Sequence, residues 1–183
     1  MRGEPLIKVI ANRVLDLLGS TKLTIDDFCV CLRAAYVVVR DGLGRRAIGV
    51  AHIPYDELHQ LGEPRAPCIE CVVDMVVDLN TVNRVLGLAT VNALSQYLMV
   101  HGGLGVDLDF NRSVLDLISE GPVCVVGRME PLIRAIESRG FTYFVFEKSS
   151  AIRGDAYSEV EEELLIPRCR VNIITGMALL NFT

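Results

Sequence analysis

Three short, unbroken apolar runs in the second half of the chain limit its fold most strongly. They are Val123-Cys124-Val125-Val126-Gly127, Thr142-Tyr143-Phe144-Val145-Phe146-Glu147 and Val171-Asn172-Ile173-Ile174-Thr175-Gly176. A strand with one wet face alternates apolar and polar residues, whereas a continuous run fits a strand covered on both faces. Helical patterns lie between the runs. Residues 131–139 begin with Pro131 near the first turn and end before Gly140, the usual placing of these two residues around a helix. Residues 158–165 open with Ser158-Glu159-Val160-Glu161, a capping-box pattern. Strands alternating with helices predict a parallel sheet with right-handed crossovers.

The first half has a different grammar. Leu6, Ile10, Val14 and Leu17 recur at helical spacing and Gly19 follows, predicting a helix over 4–18. Residues 28–39 and 45–53 read as two strands joined at Arg40-Asp41-Gly42-Leu43-Gly44, a hairpin. Residues 54–67, with Pro54, Gly62, Pro64 and Pro67, read as a loop. Residues 81–100 predict a long helix with Val82, Val85, Leu86, Ala89, Ala93 and Val100 on one side and Arg84, Asn92, Ser95 and Gln96 on the other. His101-Gly102-Gly103 ends it. A connection over 104–111 places a domain boundary between residues 105 and 106.

Composition narrows the class of function. The chain has 183 residues, of which 51% are hydrophobic, and a net charge of -5. That supports a sizeable core, and without a basic block nucleic acid is a poor partner. The apolar stretch 85–100 is broken by Thr90, Asn92, Ser95 and Gln96 and makes a poor membrane span. The N-terminus lacks a secretory apolar region. The chain is expected in the cytoplasm, with its six cysteines mostly reduced and Cys124 and Cys169 serving as small core residues.

Four places offer chemistry. Gly127, at the carboxyl end of the first parallel strand, lets backbone approach a ligand, and the helix after it favours an anion. Glu147 follows by 20 residues, where dinucleotide folds keep an acid for ribose hydroxyls. The turn Gly127-Arg128-Met129-Glu130-Pro131 lacks the full glycine fingerprint, so a plain crossover turn is the alternative. Thr175-Gly176 ends the third strand and would reach the same sheet edge, unless it is an ordinary helix cap. Asn92 sits mid-helix at a cost in propensity and faces either solvent or a wet cleft. Cys68-Ile69-Glu70-Cys71 is a lone C-x-x-C; with Cys29, Cys31 and His52 it could hold a metal, or form a disulfide. His52, His59 and His101 are too dispersed for a triad.

Several of these segments resemble one family. Gly87-Leu88-Ala89-Thr90-Val91-Asn92-Ala93-Leu94 resembles the G-x-A-x-x-N-A helix of the putative heavy-metal chelation family. Val123 to Gly127 looks like its first Rossmann strand, and Glu147 like the acid after its second. Ile173-Ile174-Thr175-Gly176-Met177-Ala178-Leu179-Leu180-Asn181-Phe182-Thr183 resembles its T-G-x-x-L-x-N-x-T segment. Order and spacing agree over roughly residues 5–183. The resemblance implies an α/β protein: an α+β unit similar to the N-terminal domain of enolase over 1–105, then a partial Rossmann-like parallel sheet with flanking helices over 106–183. It also implies a cleft between them that takes a ligand or metal chelate. The ligand-binding residues it carries over are Gly87, Asn92, Gly127, Glu147, Thr175, Gly176, Asn181 and Thr183, and Arg128 joins them from the turn. The chain departs from the family at Asn83 and Arg170, where acids are common. The family pattern continues beyond the point where this chain stops, which predicts an uncovered sheet edge and apolar face, and with it either a partner subunit over that surface in a homo-oligomer or a poorly ordered C-terminal segment.

The function expected is therefore binding of an anionic metabolite or metal chelate. An enzyme using a nucleotide-type cofactor in the same place and a non-catalytic assembly partner are the alternatives. The cofactor, a metal ion or a nucleotide-type ligand, and the substrate are not specified by these residues.

Overall fold

Gly49 explains the first half of the molecule. A Cβ at this position would lie 2.1 Å from both the Ala89 carbonyl oxygen and the Ala93 amide nitrogen. Helix α3 (Thr81–His101) therefore rests directly on the backbone of strand β3 (Arg46–His52). The computed structural model describes residues 4–55, 58, 62–102 and 114–181, which fall into two compact units. The expected boundary between 105 and 106, and His59, lie outside the described residues.

In the first unit, α1 (Leu6–Leu18) precedes an antiparallel sheet of β1 (Leu23–Val30), β2 (Ala34–Asp41) and β3, in that order across the sheet. Strand alternation puts Ala35, Val37, Val39, Ala47 and Ala51 on one buried face. Helices α1, α3 and the one-turn helix α2 (Val72–Met75) pack against one another on that side of the molecule. Ile7, Ala11, Val14 and Leu18 of α1 and Val72 and Met75 of α2 are fully or nearly fully buried there.

The expected strand over 28–39 is two strands. Ladder pairing runs Val30 with Ala35, the Cys31 amide donates to the Ala34 carbonyl at 2.9 Å, and the chain reverses at Leu32-Arg33. No glycine or proline marks this turn. The hairpin between β2 and β3 forms where expected. Asp41 fastens its turn: one carboxylate oxygen accepts from the Leu43 and Arg45 amides at 2.9 and 2.8 Å. The other oxygen accepts from Arg45 Nε at 2.6 Å and from the Tyr97 hydroxyl of α3 at 2.7 Å.

Helix α3 is less one-sided than its sequence suggests. Arg84, placed on the polar side, is buried and donates to the carbonyls of Asp78 and Leu79. Asn80 caps the helix, accepting from the Val82 and Asn83 amides at 2.9 and 3.2 Å. Asn83 is buried and clamps the preceding loop, accepting from the Arg65 amide at 2.8 Å and donating to the Glu63 carbonyl at 3.1 Å. A helix that packs on a sheet and on two other helices has little wet surface, so its buried polar groups must find partners.

The second unit is a parallel sheet of β4 (Val123–Val126), β5 (Tyr143–Phe146) and β6 (Val171–Ile174), with β4 central. β4 is buried along its whole length. Val123 and Val125 pack with Ile133 and Ile136 of α4 (Glu130–Ser138). Cys124, Val126 and Phe146 pack on the other face with Leu165 and Ile166, at the end of α5 (Glu162–Leu165). The capping box at Ser158 and Glu161 forms. The last described element is α6 (Met177–Asn181). The chain is thus a mixed α/β protein, an antiparallel sheet followed by a three-stranded parallel sheet with helices. Among the described residues no helix is long and apolar enough to cross a membrane.

Four of the six cysteines are paired, against the expectation of reduced thiols. Cys68 bonds Cys71, and Cys124 bonds Cys169 across 45 residues. Cys124 is a core residue as expected, and it is also cross-linked.

Candidate functional site

The order β5-β4-β6 means that the chain leaves β4 to one side for β5 and then crosses to the other for β6. Open parallel sheets bind ligands at the carboxyl ends of the strands on either side of such a reversal. Here those ends are Gly127 and Thr175. Gly127 has φ of 89°, and a Cβ there would meet Thr175 Cγ2 at 2.5 Å. Only glycine combines this left-handed conformation with so close a neighbour. The Gly127 amide donates to the Phe146 carbonyl at 2.8 Å and the Thr175 amide to the Val126 carbonyl at 2.9 Å, continuing the ladders past the strand ends.

Glu147 holds the neighbouring turns together. One carboxylate oxygen accepts from the Arg128 amide at 2.9 Å and the other from the Ser149 amide at 2.9 Å. These two bonds fix the carboxylate between the two turns and leave each oxygen a further acceptor position. The start of α4 likewise engages amides locally. Pro131 has no amide hydrogen, and the amides of Leu132 and Ile133 donate to the Met129 carbonyl at 2.9 and 3.0 Å.

The charge at this edge belongs to Arg128. Its guanidinium donates to Glu130, to the Arg153 carbonyl and, at 3.0 Å, to Asp155. Glu130 first and then Asp155 hold the Arg128 pKa above its ordinary value. Asp155 is held below the usual carboxylate range, by its own backbone amide first and then by Arg128. The Asp155 side chain is 94% exposed and that of Glu130 is 49% exposed, whereas Arg128 is 26% exposed. The edge therefore presents a partly sheltered cation between two accessible carboxylates. Arg153 completes it, donating to the carbonyls of Glu147 and Lys148 at 2.8 Å each. Arg153 and Asp155 carry no sequence motif. Only the adjacent Gly154, with φ of 57° and a would-be Cβ 2.6 Å from an Arg128 nitrogen, hints at a close contact.

The structure thus gathers Gly127, Arg128, Glu147 and Thr175 at one edge, and Gly176 follows Thr175 at the start of α6. Asn181 is the last residue of α6, and Thr183 lies outside the described residues. The other expected residues have local roles in the first unit. Asn92 Nδ2 donates to the Val50 carbonyl of the edge strand β3 at 2.8 Å. A Cβ at Gly87 would lie 2.8 Å from the Val76 amide nitrogen, so this glycine lets α3 touch the chain after α2. Cys68 and Cys71 are bonded to each other, and His52 stands opposite Ala34 on β2, on the far side from β1. Among the described residues no three His, Cys, Asp or Glu side chains are gathered to hold a metal ion.

Two family models, both described as putative heavy-metal chelation, match residues 13–95 and 111–183. The chain is 30% identical to an uncharacterised protein of Methanocaldococcus jannaschii over 97% of its own length and 71% of that protein. The chain belongs to the putative heavy-metal chelation family. A solved family member of unknown function from Pyrococcus horikoshii superposes with a TM-score of 0.77 and 26% identity, covering 97% of this chain and 70% of that one. A second, from Desulfitobacterium hafniense, shares the fold with a TM-score of 0.68 at 19% identity, covering 97% and 71%.

Proposed function

We propose that the carboxyl edge of the β4–β6 sheet binds a small anionic metal chelate. The observation that carries this reading is the alternation of charge at one edge: Arg128 between Glu130 and Asp155. A chelate presents both signs, carboxylates from the chelator and a cation with open coordination positions. Arg128 matches the first by paired, planar hydrogen bonds, and the two exposed carboxylates match the second as hard oxygen ligands. A chelate brings its own donors, which suits an edge without a three-ligand metal set. Thr175 and the Gly127 turn would then form the floor, the Thr175 hydroxyl being held in place by the Met177 amide, from which it accepts at 3.4 Å.

Thermal denaturation of the full chain with nickel(II)–citrate, citrate alone and nickel(II) alone tests the proposal. The complex should raise the melting temperature more than either component. Arg128→Met should abolish that increment while the far-ultraviolet circular dichroism is retained. An equal shift in Arg128→Met would overturn the assignment. Stabilisation by adenine nucleotides that is lost in Glu147→Ala would favour a cofactor instead.

A further inference from the structure

Four of the six cysteines are consumed in disulfides, and the two left free, Cys29 and Cys31, have their sulfurs 2.9 Å apart. Cys29 lies near the end of β1 and Cys31 is the first residue beyond it, and the contact of their sulfurs shows that both side chains lie on the same side. The Cys31 amide still donates to the Ala34 carbonyl, so the ladder fixes the spacing of the two side chains. Cys31 is exposed and Cys29 half-buried, and the flanking Leu32 at the hairpin tip is 87% exposed. Solutes can reach both thiols.

We infer that Cys29 and Cys31 form a two-coordinate site for a thiophilic monovalent cation, with copper(I) as the chemical type. The reading is independent of the site proposed on the parallel sheet, since it uses other residues in another unit. Thiolates select soft cations over hard ones. Two-coordinate binding needs no third ligand, which fits the lack of a three-member cluster among the described residues. The geometry suits a linear pair. Alternate strand residues stand about 6.6 Å apart along the backbone. Metal–sulfur bonds of about 2.3 Å in line would place the sulfurs about 4.6 Å apart. The two side chains, now leaning together, reach that separation by turning back towards their own Cα atoms without moving the strand. Binding replaces two S–H bonds by two S–Cu bonds and releases two protons to solvent, with no change in oxidation state. The metal imposes a separation at which no sulfur–sulfur bond can form.

The test is an anaerobic competition for copper(I) against bicinchoninate, with ascorbate as reductant so that the disulfides stay closed. The full chain should take one copper(I) per molecule. Cys29→Ser and Cys31→Ser should each weaken binding by more than the roughly 10–100-fold typical of outer-shell changes, and the double variant Cys68→Ser/Cys71→Ser, which leaves no new thiol, should leave it unchanged. Both serine variants replace accessible side chains, and circular dichroism checks that they fold. Retention of copper(I) by Cys29→Ser would overturn the site. So would thiol counting and mass spectrometry that find Cys29 and Cys31 bonded to each other in freshly purified protein.

Discussion

Single residues in this protein are held by what surrounds their backbone. Gly127 is the clearest case, since its φ is positive and Thr175 fills the space a side chain would need. Gly127→Ala should destabilise the protein by about 1–3 kcal/mol, the range for an ordinary residue forced into such a conformation. Thr175→Ser removes the nearer of the two clashing carbons, so the double variant should be less destabilised than the sum of the singles. Urea denaturation of the four proteins measures this; strict additivity would mean the contact is not felt. Asp41 makes a prediction about pH. The Tyr97 hydroxyl first, then Arg45 and the amides of Arg45 and Leu43, hold its carboxyl well below the usual range, against an opposing effect of burial. The folded chain therefore keeps this group charged where the unfolded chain has bound a proton. Its stabilising effect is complete above the unfolded value of about 3.9 and fades as the pH falls through the lower folded value. Asp41→Asn should be less stable than the parent at pH 7, with the gap closing in strong acid. A gap of constant size across that range would show that the charge is not responsible.

Elements are set by packing more than by propensity, and α3 on β3 shows how. Nothing flexible stands near the missing Gly49 side chain, only backbone of the helix. Gly49→Ala must move the whole helix and should cost at or above the about 3 kcal/mol upper end of ordinary overpacking. Asn92→Ala removes one exposed hydrogen bond to β3 and should cost only about 0.5–1.5 kcal/mol. Chemical denaturation of the two variants should rank them in that order. The same contact explains what could be read in the sequence. Apolar periodicity revealed α1 and α3, the turn residues at 40–44 revealed the β2–β3 hairpin, and unbroken apolar runs revealed the three parallel strands, of which β4 is buried on both faces while β6 keeps Asn172 and Ile174 exposed. Periodicity could not reveal the reversal at Leu32-Arg33, where the apolar pattern of Val30 and Ala34 runs on and no turn residue interrupts it. Nor could it show that Asn92 serves the edge of β3, since a polar residue capping a strand edge and one facing water look alike in one dimension. At the parallel sheet the strand ends Gly127, Glu147 and Thr175 were legible from topology. Arg153 and Asp155 were not, because a loop brings them to Arg128 without any periodic signal.

Across the whole chain the cross-links distinguish one stretch from another. Cys124 on the central strand β4 is bonded to Cys169, two residues before β6. That bond closes a loop containing α4, β5 and α5, so it ties the two strands whose ends form the proposed binding edge. The separation of 45 residues makes the loss of unfolded-state freedom large, worth about 4 kcal/mol in the chain-entropy account. The Cys68–Cys71 bond spans three residues and constrains the unfolded chain far less. Reduction should therefore act unevenly. Hydrogen–deuterium exchange after treatment with a phosphine should rise most in β4, β5 and β6, and much less in β2 and β3. Cys169→Ala should reproduce that pattern without reductant, and Cys71→Ala should not. Ligand binding at the sheet edge should weaken in parallel, because Gly127 and Thr175 keep their contact only while β4 and β6 stay in register. If exchange in β4–β6 were unchanged on reduction, the hydrophobic packing around Cys124, Val126 and Phe146 would be sufficient to hold the sheet alone.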